Sequence, residues 1–139
     1  MTVAYWTLSN KFSARASCPI QSFSNVIPNL CLDFEQPWRR VALTSLYLSV
    51  APRESCVVGV CSDIVRPRHV GSVPVKVLAV VQLKAGSTQV RLPSQPESVE
   101  IDSPNVRRIS IDLRKLDDWS PPNFPGGASV YLMLQFTAP

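Results

Sequence analysis

The sequence predicts an all-β protein, a single jelly-roll or Greek-key β-sandwich of eight to ten antiparallel strands. Residues 108–114 and 130–136 both alternate with a period of two residues, as strands do. The thirteen prolines lie among many Val, Ser and Thr residues, which is typical of short strands joined by rigid loops. No ten-residue segment shows helical periodicity. These features favour a sandwich over a helical or mixed fold.

The composition indicates one folded domain spanning residues 1–139. Hydrophobic residues make up 45% and charged residues 17%, which argues against a disordered chain and against a solvated helical bundle. The net charge of +4 and the pI near 9.1 are compatible with an acidic partner. The charge alone does not identify such a partner. No basic start followed by an apolar run is present, and no apolar stretch approaches membrane-spanning length. We therefore expect a soluble, unsecreted protein without membrane contact.

The first half of the chain predicts four strands. Thr2 to Leu8 is short, β-prone and aromatic, whereas Ser9 to Pro19 is polar and is predicted to be an exposed loop. Two further strands are predicted on either side of Pro28-Asn29. The longest candidate covers residues 38–50.

The alternation changes phase inside residues 38–50. Val41 and Leu43 occupy odd positions, whereas Leu46 and the apolar residues after it occupy even ones. One extra residue near Thr44-Ser45 would restore a single buried face, so we predict a β-bulge there. A strand buried on both sides is the alternative.

The second half of the chain predicts the remaining strands. Residues 56–65 alternate, with Cys56, Val58, Val60 and Ile64 facing inward, and residues 88–92 and 99–101 are predicted as short strands. Residues 75–83 are apolar in both phases, so this strand is either central and covered twice or exposes one face to another subunit. The connection from Lys115 to Ala128 is too long for a tight hairpin and is predicted to cross between sheets.

Residue types that carry catalysis are sparse. His69 is the only histidine and stands outside any nucleophile or phosphate-loop motif, and Asp117-Asp118 fits a turn better than acid–base chemistry. Cys56 and Cys61 lie an odd number of residues apart on one strand, so their side chains should face opposite sides. With Cys18 and Cys31 they are predicted to be free thiols. We expect no enzymatic activity, no cofactor and no bound metal.

Three arginine pairs stand out against this background: Arg39-Arg40, Arg66 with Arg68, and Arg107-Arg108. Guanidinium groups suit bidentate contact with anions. Solvated strand ends, an assembly interface and a weak nucleic-acid contact all fit these pairs, and the sequence does not show whether the pairs meet.

Four pieces of the chain, in this order, resemble a known family: AYWTLSN, SFSNVIPNLCLDFEQPWRRVALTSLYL, VCSDIVRPRHVGSVPVKVLAVV and VEIDSPNVRRISIDLRKLDDWSPPNFPGGASVYLMLQF. The chain resembles the minor capsid, penton-like jelly-roll proteins of Maverick/Polinton elements and adintoviruses. The matching positions are Tyr5 to Asn10, Ser24 to Pro28, Trp38 to Leu43, Cys61 to Gly71 and Val99 to Phe136. The resemblance covers most of the chain and implies a jelly-roll shell protein.

The chain also departs from the family pattern. A short turn through Pro52 stands where family members carry a long insertion, and Ser72 replaces an acidic residue. The loop at Asp117-Asp118-Trp119-Ser120 lacks the family's glycine. The missing insertion puts receptor binding or decoration in doubt, because such roles usually reside on long loops.

The leading prediction is therefore a virion structural protein, a penton-like vertex subunit or a minor capsid or cement protein, found in the virion and inside the host cell during assembly. Its partners would be copies of itself, for example in a pentamer, and other capsid proteins. The predicted contact residues are Val75, Val77, Leu78 and Val80, together with Arg66, Arg68 and His69 for a neighbouring subunit or packaged nucleic acid.

A non-enzymatic β-sandwich module that binds a cellular protein or glycan is the alternative function. In that case Trp119 and Phe124, in the loop from Lys115 to Gly127, would offer an apolar platform.

Overall fold

The computed structural model describes residues 2–12, 22–26, 38–102 and 107–138. In chain order the elements are β1 (Thr2–Ser9), a short 3-10 helix (Asn10–Phe12), β2 (Ser22–Val26), β3 (Arg40–Leu48), β4 (Cys56–Ser62), β5 (Arg68–Val70), β6 (Val73–Val75), β7 (Val77–Leu83), β8 (Ser98–Glu100), β9 (Arg108–Lys115) and β10 (Val130–Ala138). The predicted strand around residues 30–35, together with Cys18 and Cys31, lies outside the described residues.

Eight of these strands form two facing sheets. Sheet A has the order β1-β10-β3-β8 and sheet B the order β2-β9-β4-β7, with antiparallel pairing throughout. The first sandwich strand pairs with the last, the second with the second-last, and so on to the adjacent β4 and β7. This is one long hairpin rolled into a sandwich, which is a jelly roll. The predicted fold class is confirmed.

The core lies between the sheets and is built by the alternation that the sequence shows. Ile109, Ile111 and Leu113 of β9 face inward from sheet B, opposite the inward side of β10 in sheet A. The fully buried inward residues of β10 are Val130, Leu132, Leu134 and Phe136. Because β9 and β10 belong to different sheets, the connection between them crosses the sandwich as predicted.

The predicted bulge in β3 is confirmed at Thr44. Leu43 pairs with Leu134 and Ser45 pairs with Met133, so Thr44 is the extra residue. Its hydroxyl donates a hydrogen bond to the Met133 carbonyl oxygen over 3.0 Å. The extra residue returns both halves of β3 to one buried face.

The apolar strand β7 is not central. It forms an edge of sheet B and pairs only with β4 among the described strands. Val60 pairs with Ala79 and Cys61 pairs with Val77, so Leu78 is the extra residue of a second bulge. The bulge places two neighbouring side chains in buried positions, which is why the sequence reads as apolar in both phases.

Two further expectations are corrected. The segment 88–92 is not a strand; it contacts sheet A through a single bridge between Gln89 and Tyr47, while Val90 and Leu92 pack against the core. The segment after β1 does not begin in solvent either, because Ser9 and Asn10 are buried. The Asn10 side chain donates to the Ala128 carbonyl oxygen (3.1 Å) and accepts from the Val130 N–H (3.0 Å), which ties this turn to β10.

Candidate functional site

The predicted contact segment, residues 75–83, exposes only part of its apolar surface to a partner. Val77 and Leu78 are fully buried within the chain itself, so neither can touch a partner in this conformation. Val80 is 47% exposed on the outer side of sheet B, and Val75 is half-buried at the end of β6. A contact role for Val75 and Val80 stays a prediction.

The basic residues after β4 separate into two places. Arg68 and His69 lie on the small β5–β6 hairpin, where Arg68 forms a 2.6 Å ion pair with Glu97 and His69 is exposed. Arg66 lies before the hairpin and its N–H donates to the Glu100 carbonyl oxygen over 3.0 Å. Arg66 thus belongs to the end of the sandwich where β8 ends.

Trp119 and Phe124 do not form the predicted platform. Phe124 is a core residue that is 7% exposed, so it presents almost no surface to a ligand. Trp119 is half-buried and has a φ of 61°, the left-handed region that side-chain-bearing residues rarely adopt. The buried packing of Phe124 removes the apolar surface on which this binding site depended.

The same end of the sandwich gathers Arg39, Arg40 and Arg66 with Arg107 and Arg108, and we call it the arginine end. Arg68 lies apart from it, on the β5–β6 hairpin. The arginine end comprises the start of β3 at Arg40, the end of β4, the end of β8 at Glu100 and the start of β9 at Arg108. Hydrogen bonds from Ile101 N–H to the Arg39 carbonyl oxygen (2.8 Å) and from Asp102 N–H to the Ile64 carbonyl oxygen (2.8 Å) join its segments. The topology therefore brings together residues that the sequence left apart.

A cleft of about 530 Å³ opens at the arginine end. This volume falls within the range of small-ligand sites, roughly 300–1,000 Å³. The residues that line the cleft are Trp38, Arg39, Arg40, Arg66, Glu100, Ile101 and Asp102.

Glu100 organises two of the cleft arginines. Its carboxylate lies 2.8 Å from Arg66 Nη1 and 3.8 Å from Arg40 Nη1. Arg40 also donates to the Ser98 hydroxyl (2.7 Å) and to the Ser98 carbonyl oxygen (2.6 Å). These side chains are about half exposed, so the ion pairs contribute little to stability but hold the guanidinium groups in place.

Two donors in the cleft have no partner among the described residues. The Trp38 side chain is 2% exposed and packs edge-on against Phe136, with ring centroids 6.3 Å apart, yet its indole N–H makes no hydrogen bond. The exposed guanidinium of Arg39 has no ion pair or hydrogen bond in the same part of the chain. The cleft therefore has one exposed donor group without a partner, the Arg39 guanidinium, and one buried donor without a partner, the Trp38 indole N–H.

A second candidate surface is the outer side of sheet A. Phe12 and Tyr47 each contact Tyr131, with ring centroids 6.1 Å and 6.3 Å apart respectively. Tyr5 and Met133 are also exposed on this side. We call these five residues the aromatic face.

The strand positions around the aromatic face are uncharged. The outward positions of β1, β10 and the second half of β3 include Val3, Thr7, Gln135 and Ser45, and none of these outward residues is charged. Its residues come from three strands and a turn, so they form one surface only in the folded protein. One sequence signal indicated the aromatic face: Tyr131 and Met133 alternate with the buried residues of β10 and therefore face outward.

The two thiols of β4 lie on opposite sides of the strand, and each has a raised pKa. Cys56 packs against the core and Cys61 contacts the Gly59 carbonyl oxygen (3.8 Å) outside it, which confirms the predicted opposite orientations. Both thiols are free. Burial, and then the nearby Glu54, raises the pKa of Cys56; burial, and then Asp112, raises that of Cys61.

Within residues 2–12, 22–26, 38–102 and 107–138, no three His, Cys, Asp or Glu side chains are grouped so as to hold a metal ion. The same ranges contain no helix with the length and apolar character needed to cross a membrane.

The fold and its surfaces define the chain as an all-β jelly-roll sandwich with an aromatic face on sheet A and a basic cleft at one end. No protein-family model, curated protein or solved structure matches the chain.

Proposed function

We propose that the chain is a virion structural protein: a small jelly-roll subunit that associates with copies of itself and with other capsid proteins at a vertex or as a minor or cement component of the shell. Its mechanism is burial of surface between subunits, without catalysis. The proposal draws on the resemblance to penton-like capsid proteins and on the jelly-roll topology. The aromatic face is the observation that carries it.

The aromatic face has the composition of a protein–protein contact. Aromatic residues and Met are enriched at interfaces, and the fully buried centre of an interface is depleted of charged residues. Tyr is among the residue types that dominate binding energy when they become buried between partners. Tyr5 and Tyr47 are each nearly 60% exposed in the single chain, and their neighbours on sheet A are uncharged. A second copy or a shell protein would cover this surface.

Homo-oligomerisation tests the proposal directly. Light scattering coupled to size exclusion should give a mass that is a multiple of the 15.3 kDa chain, and electron micrographs should show rings or shells. The variant Tyr47→Lys should weaken self-association about tenfold or more, because it places a charge in the contact.

The matched control is Val57→Lys, which changes an exposed apolar residue on the opposite sheet. Its oligomer should remain intact. A protein that stays monomeric at high concentration and enters no particle contradicts the proposal. An oligomer that dissociates with Val57→Lys and not with Tyr47→Lys would move the contact to sheet B.

The alternative function, a module for a cellular protein or glycan, has lost the site that favoured it, because Phe124 is buried. Binding of a glycan with no self-association would return it to consideration.

A further inference from the structure

We propose that the cleft at the arginine end binds a phosphate group of a nucleic-acid strand, through the donors of Trp38, Arg39 and Arg66. The choice of nucleic acid as the ligand rests on the proposed virion function; the preference for an anion rests on the cleft itself.

Arg39 has the properties of a preformed anion contact. Its main-chain N–H donates to the Thr137 carbonyl oxygen (3.0 Å), and its carbonyl oxygen accepts from Ile101 N–H (2.8 Å), so its backbone is fixed between β10 and the segment after β8. Its guanidinium is exposed and unpaired within the described part of the chain. A fixed backbone carrying a free guanidinium suits a bidentate contact with phosphate.

Trp38 supplies an independent reason for an acceptor in the cleft. A buried indole N–H normally finds a hydrogen-bond partner, because leaving it unpaired forfeits the bond it made with water. Trp38 lines the cleft, and its buried N–H is without a partner in the described part of the chain. A phosphate oxygen can accept from this N–H once the atoms that cover it move aside, whereas a cation or an apolar ligand cannot accept.

The charges that line the cleft favour an anion. Three arginines face two carboxylates there. One carboxylate, Glu100, is shared by Arg40 and Arg66, and the other, Asp102, lies 3.2 Å from Lys76 Nζ. With Lys76 included, the cleft and its edge carry four positive and two negative side chains. A bound phosphate would reduce this excess.

The arginines beyond the cleft favour a polyanion over a single small anion. Arg107 and Arg108 are exposed at the start of β9, at the same end, and neither has an ion pair among the described residues. A nucleic-acid strand presents a phosphate about every 3.4 Å along its axis, so successive phosphates can reach separate arginines. The volume of the cleft, about 530 Å³, accommodates a phosphate with its sugar.

Fluorescence anisotropy tests the proposal on the full chain. The probe is a fluorescein-labelled 20-nucleotide oligothymidylate, and its binding is measured at several salt concentrations. The wild-type protein should bind, with an affinity that falls as salt rises. Arg39→Gln should weaken binding several-fold and make the salt dependence shallower by about 0.7 in logarithmic slope, the contribution of one phosphate contact on a single strand. Arg53→Gln removes an equal charge from an exposed arginine at the opposite end and should leave binding unchanged.

Two further variants distinguish a built site from general attraction. Glu100→Gln releases Arg40 and Arg66 and should tighten binding. Trp38→Phe keeps an aromatic ring beside Phe136, removes the N–H donor together with one ring of the indole, and should weaken binding without a change in net charge. Circular dichroism of each variant confirms that the sandwich is folded.

The proposal is overturned by any of three results: no binding at low salt, equal losses for Arg39→Gln and Arg53→Gln, or competition by a polyglutamate chain as effective as that by unlabelled strand. The last result would indicate an acidic protein partner. A chain that assembles but does not bind the strand contradicts this inference alone, and a monomer that binds the strand contradicts the proposed function alone.

Discussion

The side chain of Asn25 forms two hydrogen bonds with the backbone of Ser9, donating from Nδ2 to the Ser9 carbonyl oxygen and accepting at Oδ1 from the Ser9 N–H, each over 2.9 Å. Both residues are buried. Asn25 lies on β2 of sheet B and Ser9 ends β1 of sheet A, so one carboxamide satisfies two main-chain groups across the sandwich. An amide presents one donor and one acceptor side by side, which is what this arrangement requires.

Replacing Asn25 with Leu should be strongly destabilising. Leu has the same branched skeleton but leaves the N–H and the carbonyl oxygen of Ser9 buried without partners, at a cost of about 2–5 kcal/mol for the two groups. Chemical denaturation measures the loss. Ser24→Ala is the neighbouring control, because it removes one part-buried bond to the Ser110 hydroxyl (2.7 Å) and should cost about 1 kcal/mol. Equal losses for the two variants would contradict the role of Asn25.

Deleting Thr44 should abolish the fold. Without the extra residue, the first half of β3 shifts by one position and turns its buried side chains, Val41 and Leu43, towards solvent. Thr44→Val keeps the register and loses only the bond to Met133, so it should cost about 0.5–1.5 kcal/mol. Thermal unfolding followed by circular dichroism distinguishes the two. A deletion variant that unfolds at the wild-type temperature would show that the bulge is dispensable.

Gly126 and Gly127 should respond differently to Ala. Gly127 has a φ of 77° in a turn closed by the Ala128 N–H on the Pro125 carbonyl oxygen (3.3 Å), whereas Gly126 has no positive φ. An added Cβ meets no atom within 4 Å at either position, so only the backbone conformation differs. Gly127→Ala should cost about 1–2 kcal/mol, and Gly126→Ala should be neutral or slightly stabilising. Similar free energies of unfolding for the two variants would count against this explanation.

Alkaline pH should weaken the fold through the thiols of β4. Burial raises the pKa of Cys56 and Cys61 above the ordinary 9.0, so the folded chain retains protons that the unfolded chain has lost. Their stabilising contribution is complete below the unfolded pKa and disappears as pH rises through the folded pKa. The free energy of unfolding should therefore fall above about pH 9, and Cys56→Ala/Cys61→Ala should show a smaller fall. An unchanged pH dependence in that variant would contradict the assignment.

Much of the fold was predictable because the jelly roll is built from segments whose burial follows their alternation. Ile109 to Leu113 and Val130 to Phe136 show a period of two directly, and the bulge at Thr44 appears as a single change of phase. The bulge at Leu78 could not be recognised, because an apolar run in both phases is also what a doubly covered strand looks like. The strand predicted at residues 88–92 was wrong, because Val90 and Leu92 pack against the core without joining a ladder.

The candidate sites were less predictable because they depend on pairing. Tyr47 and Tyr131 are far apart in sequence and meet only through the register of β3 with β10. Arg40 and Arg66 approach Glu100 only because the start of β3 and the ends of β4 and β8 converge. Periodicity predicts which side of a strand is buried but not which strand lies beside it, so the arginine pairs could be named but not assembled.

The pairing of Thr2 with Ala138 brings residues from the two ends of the described chain next to each other. Opposed Cα atoms in such a pair lie about 5 Å apart, so a linker of a few residues would join them. New ends opened in the segment 84–97 would interrupt none of the ladders of the two four-stranded sheets. Such a circular permutant should fold. It would also move both ends away from the arginine cleft, whereas a domain fused at residue 2 or 138 of the present chain would be held beside whatever that cleft binds.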